Sequence, residues 1–106
     1  MKKDDYITEV IFRKWNRKAF KGDIIALFPY DIYNISGLVS SYEHVGQHSG
    51  ADYNHCINMT VPAKAEEYNS LKTELESIGY NLKVINKRNY DKYLTELNEL
   101  RNVNSL

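Results

Sequence analysis

Two hydrophobic periods run along this chain, a period of two in its first half and a period of three to four later. Between Tyr6 and Trp15, β-branched and aromatic residues dominate, with Val10 and Phe12 on one face and Ile11 and Arg13 on the other. That alternation predicts a strand. Lys21-Gly22-Asp23 is a turn signal, and the apolar run from Asp23 to Phe28 predicts a central strand covered on both faces. The two strands are expected to pair as an antiparallel hairpin. Pro29 should end the second, because proline cannot donate to a sheet ladder. Tyr30 to Gly37 reads as a loop, Leu38 to Val45 as a third strand and Gly46 to Asn54 as another loop. His55 to Val61 reads as a short fourth strand closed by Pro62.

The period then changes. Tyr68, Leu71, Leu75 and Ile78 recur at spacings of three and four, one face of a helix, with Glu66 and Glu67 in its first turn and Gly79 where a left-handed residue ends it. Tyr80 to Lys87 alternates again, Tyr80, Leu82 and Val84 facing one way, and predicts a strand with one buried face. Tyr90, Tyr93, Leu94, Leu97 and Leu100 mark a shorter second helix with Asn89 as its N-cap, and residues 102–106 should fray. This order predicts a single α+β domain: an antiparallel or mixed sheet of four to five strands, one main amphipathic helix packed on one face, and a short C-terminal helix, with the helices on one side. A chain of 106 residues can bury a core without disulfides or metal.

Composition narrows the function classes. The lone cysteine cannot form an internal bridge, the first residues are polar, and no apolar run approaches membrane-spanning length. The expectation is a soluble, reduced, cytoplasmic protein. Net charge is zero, yet residues 1–21 carry seven basic and three acidic side chains while the remainder carries seven and eleven. That asymmetry suits steering toward a charged partner and lacks the basic footprint of a dedicated nucleic-acid binder. Nine tyrosines against three phenylalanines suit half-buried sheet faces and recognition surfaces alike.

All three histidines and the cysteine fall between His44 and Cys56. His44, His48 and His55 form the alternative metal set, but Gly46 and Gly50 disfavour a helix that would align the first two. Adjacent His55 and Cys56 would diverge on a strand, and no CxxC or HExxH spacing is present. Cys56 as a nucleophile would need an exposed, electropositive position, whereas inside a strand it acts as a small core residue. No metal, cofactor or catalytic residue is assigned. The favoured reading is a glycine-containing connection whose polar side chains bond its own backbone.

Arg13, Lys14, Arg17, Lys18 and Lys21 interleave Trp15 and Phe20, the mixture of cations and aromatic rings that single-stranded nucleic acid requires. The same residues on a hairpin turn supply solubility and discourage edge pairing. Weak, salt-sensitive nucleic-acid contact through Arg13, Lys14, Trp15, Arg17, Lys18 and Lys21 is therefore the alternative binding reading.

Several segments taken together carry a family resemblance: Val10-Ile-Phe-Arg-Lys14, Gly22-Asp-Ile-Ile-Ala-Leu-Phe-Pro29, Ser41-Tyr42, His44, Gly46-Gln47-His48, Glu66-Glu-Tyr68 and Leu75-Glu-Ser-Ile-Gly-Tyr80. They resemble a family of small proteins of unknown function from phages and mobile elements of Gram-positive and gut bacteria. The likeness covers residues 10 to 85 and departs in the tyrosine-rich stretch Tyr30–Ile35 and in the longer C-terminus. It carries no reaction or catalytic residue. It implies an accessory role, such as blocking a host defence in the manner of small anti-CRISPR proteins. The resulting expectation is a non-enzymatic module that binds a host protein through Tyr30, Tyr33, Tyr42, Gln47, His48, Asp52 and Tyr53.

Overall fold

A computed structural model describes residues 6–16, 22–44 and 47–104. Its centre is the hairpin of β1 (Thr8–Trp15) and β2 (Ile24–Ile32), antiparallel with Ile11 opposite Leu27 and Arg13 opposite Ile25. β2 continues beyond the expected stop at Pro29. Its pairing with β3 (Val39–Glu43) shifts register between Phe28 and Ile32, an irregularity where a missing proline donor is tolerated. β4 (Gln47–Ala51) pairs antiparallel with β3 at one edge of the sheet. At the other edge β1 has two short neighbours, β5 (Thr60–Pro62), antiparallel, and β6 (Leu82–Val84), parallel. The fold is thus α+β with a six-stranded mixed sheet among the described residues.

Both faces of the sheet are covered, and this follows from the alternation in β1 and β2. Val10, Phe12, Ala26, Phe28 and Tyr42 form one core with Leu71 and Leu75 of α2 (Ala65–Ser77). Phe12 stacks on Tyr68 with centroids 4.4 Å apart, and Phe28 stacks on Tyr80 at 5.3 Å. Ile11, Ile25 and Leu27 point the other way and meet Ala51 and Cys56, the latter from α1 (Tyr53–Met59). A third cluster joins Val39 to Tyr93 and Leu97 of α3 (Tyr90–Asn104). Tyr53 borders both of the last two clusters, so α1 and α3 share the face opposite α2. The helices therefore do not lie on one side. Each helix extends the burial that the central hairpin offers on its two faces.

Two local readings differ from the structure in the histidine stretch. Gln47–Ala51 is a strand, not a loop, held by backbone pairing to β3. Residues 53–59 form α1, not the start of a fourth strand, and only Thr60–Pro62 is extended. Asp52 caps α1 by accepting from the His55 N–H at 3.1 Å. The capping features expected later are present: Asn89 accepts from the Lys92 N–H at 3.1 Å, and Gly79 has φ +113°. α3 runs to Asn104, beyond the expected start of fraying.

Candidate functional site

Because α1 lies on one face of the sheet and α2 on the other, the three histidines do not converge. His44 Nδ1 sits 2.7 Å from Glu74 Oε1, and His48 Nε2 sits 3.1 Å from the Tyr80 hydroxyl, both on the α2 side. His55 is on α1, beside the groove formed by Trp15, Ser41, Glu43 and Cys56. Among the described residues no three His, Cys, Asp or Glu side chains are grouped to hold a metal ion. His55 and Cys56 do diverge, though on a helix and not on a strand. Cys56 packs against Ile11, Ile25, Leu27 and Ala51. Burial first, then the charges of Asp52 and Glu43, push its thiol above the ordinary cysteine range, the reverse of what a nucleophile needs.

The basic cluster is spent on architecture where the structure describes it. The Arg13 guanidinium donates to Thr60 Oγ1 at 2.9 Å, to the Thr60 carbonyl at 3.0 Å and to the Ile57 carbonyl at 3.2 Å. It ties the end of α1 and the start of β5 to β1, and burial lowers its pKa from the usual arginine value. Lys14 pairs with Glu67, which also accepts from the Lys64 N–H at 2.8 Å and so closes the start of α2. The Trp15 indole N–H points to Glu43 Oε1 at 3.4 Å. Arg17, Lys18 and Lys21 lie outside the described residues.

The expected tyrosine surface is not continuous. Tyr42 is 2% exposed and donates to Glu74, so it cannot anchor a partner. The Tyr53 hydroxyl accepts from the Arg88 N–H at 3.1 Å, and the Arg88 guanidinium lies over its ring, 4.0 Å from the centroid. Asp52 is committed to its cap. Tyr33 is exposed and lies flat on Gly50, where a Cβ would meet its Cδ2 at 2.3 Å. Gln47 sits in β4, opposite Glu43. Tyr30 and His48 border two adjoining clefts, and Asp52 and Tyr53 line a smaller one of about 220 Å³.

Those clefts lie where the start of β1 meets the end of β2. One, of about 450 Å³, runs between Tyr6, Ile7 and Glu9 on one side and Lys92, Glu99 and Val103 of α3 on the other. The second, of about 520 Å³, is bounded by His48, Ile78, Tyr80 and Asn81. Tyr6, Thr8 and Asp31 line both. Tyr6, Ile7 and Val103 are 57, 61 and 69% exposed, unusual for side chains of this size. Across the shared wall, burial and the Asp31 carboxylate raise the Tyr80 hydroxyl above its ordinary pKa. The sequence reading passed over Ile7 and Val103. Ile7 directly precedes β1, and Val103 falls in the stretch expected to fray, so neither stood out from the pattern of its surroundings. No family model matches this chain, and no curated protein or solved structure is significantly similar to it.

Proposed function

We propose that this chain is a non-enzymatic accessory protein of a phage or mobile element that binds a host protein through the joined clefts. One observation carries the binding reading. Of the seven large hydrophobic side chains exposed among the described residues, four (Tyr6, Ile7, Ile78 and Val103) line these two clefts. Scattered exposed apolar residues are ordinary, whereas their concentration around a concavity marks an interaction site. Several groups suited to chemistry are engaged elsewhere, His44 on Glu74, Cys56 in the core and Arg13 on Thr60, while His48 in the second cleft is hydrogen-bonded to Tyr80. The phage setting, and inhibition of a host defence as the outcome of binding, rest on the sequence resemblance alone. The basic-hairpin alternative loses Arg13 and Lys14 to internal partners.

The test is a paired substitution, Ile7→Ser with Val103→Ser. Exposed positions change stability little, roughly 0.5 kcal/mol each, so the variant should melt close to the wild type. Immobilised wild-type protein should retain a discrete protein from host extract, and the variant should not. Retention of the same protein by the folded variant would remove the clefts from the reading.

A further inference from the structure

Electrostatics of the clefts specify the partner more closely, an inference that rests on the binding reading above. The first cleft is walled by Tyr6, Ile7, Leu100 and Val103 and rimmed by Glu9, Glu96 and Glu99, with Asp31 on the wall it shares with the second. Lys92 is the one lysine or arginine among the lining residues, and it is paired with Glu9 at 2.5 Å, while His48 in the second cleft is bonded to the Tyr80 hydroxyl. Among the described residues, Asp31, Glu96 and Glu99 have no ion-pair partner.

We infer that the joined clefts receive a protein segment in which lysine or arginine alternates with large apolar side chains. A neutral apolar segment would bury these carboxylates without compensation, and an acidic or nucleic-acid partner would be repelled by them. A cation on the incoming segment removes both costs. It also enters a cleft that Tyr6 and Tyr80 line together with Asp31. The chain already contains this mode of contact: the Lys92 ammonium lies over the Tyr30 ring, 4.3 Å from its centroid, while paired to a carboxylate. Asp31, open to both clefts, is the position from which one cation would hold apolar neighbours in each.

Three labelled nine-residue peptides test this by fluorescence anisotropy at 0.15 M salt. One alternates arginine or lysine with leucine and phenylalanine, the second replaces the basic residues by glutamate, and the third replaces the apolar residues by serine. The first should bind roughly tenfold tighter than either control, because it alone satisfies both wall and rim. Asp31→Lys with Glu99→Lys should weaken it severalfold and strengthen the glutamate peptide, with the fold verified by circular dichroism. Equal binding of the basic and acidic peptides, or indifference to the charge reversal, would overturn the inference. If Ile7→Ser with Val103→Ser abolishes capture of the host protein while charge reversal changes neither capture nor peptide binding, this inference fails and the binding reading stands. Residues 17–21, Arg-Lys-Ala-Phe-Lys, have the stated chemistry themselves. Concentration-dependent sedimentation of the wild type that is lost on charge reversal would therefore assign the clefts to a second copy, and overturn a foreign partner.

Discussion

The Tyr93 hydroxyl donates to the Gly37 carbonyl at 2.6 Å, and a Cβ on Gly37 would sit 2.6 Å from that same oxygen. One contact thus fixes α3 against the turn between β2 and β3 and also forbids a side chain there. Gly37 has φ +98°, which adds backbone strain to any replacement.

Gly37→Ala should therefore destabilise the fold by about 1–3 kcal/mol. Tyr93→Phe should cost about 1 kcal/mol, the usual net value of one hydrogen bond. The double variant should be less destabilised than the sum, because losing the hydroxyl removes the clash and leaves only the strain. Urea denaturation of the four proteins measures this. Strict additivity would show that the clash with Tyr93 is not what excludes a side chain.

Arg13 makes a second prediction. Its three bonds satisfy two carbonyls and the Thr60 hydroxyl, and that hydroxyl itself donates to the Cys56 carbonyl at 2.6 Å. Arg13→Ala should cost about 2 kcal/mol and lower the melting temperature by several degrees. Lysine should not rescue it, since a single ammonium cannot reproduce the planar fork. Calorimetry showing Arg13→Lys as stable as the wild type would mean that charge alone holds this corner.

These two sites show how much of the molecule was legible beforehand. The hairpin, α2 and β6 could be read because Val10, Phe12, Leu71, Leu75, Leu82 and Val84 carry the period of the element they build. The edge strand β4 could not. Gln-His-Ser-Gly-Ala has no strand preference, and its conformation comes from pairing with β3, a tertiary contact. The α1 helix left a usable sign in Asp52, with Tyr53, Cys56 and Ile57 at helical spacing after it, but β-branched Ile57 and Thr60 suggested a strand. His44, His48 and Cys56 are close in sequence and parted by the sheet, so clustering along the chain did not become a site. The clefts draw on β1, β2, β4, the connection from α2 to β6, and α3, and no local pattern could announce that meeting.

Alkaline pH should destabilise the protein through Cys56 and Tyr80. Both are acids whose pKa burial raises in the folded state, so the folded protein holds its protons more tightly than the unfolded chain. Their contribution is complete below the unfolded pKa values, near 8.5 for cysteine and 10 for tyrosine, and is lost as pH rises through the folded ones. Stability should decline first above about pH 8.5, and Cys56→Ala should flatten that first decline while lowering the neutral-pH baseline, because it removes a packed sulfur. Alkylation of native Cys56 should be slow at pH 8 and become fast in denaturant. Rapid native labelling would contradict the burial.

Lys92 separates stability from recognition. Glu9 raises its pKa through their hydrogen bond, yet the lysine side chain is half exposed, and such pairs are worth about 0–1 kcal/mol. Lys92→Gln should therefore leave the melting temperature nearly unchanged. It nonetheless removes the one lysine or arginine lining the clefts and frees Glu9, so four carboxylates face an incoming segment instead of three. The basic peptide should bind severalfold tighter to Lys92→Gln than to the wild type, and the gain should shrink as salt rises from 0.05 to about 0.5 M, because screening shortens to a few ångströms. A merely structural lysine would give the opposite pairing, a lower melting temperature with unchanged peptide affinity, and that result would place the cationic partner elsewhere on the surface.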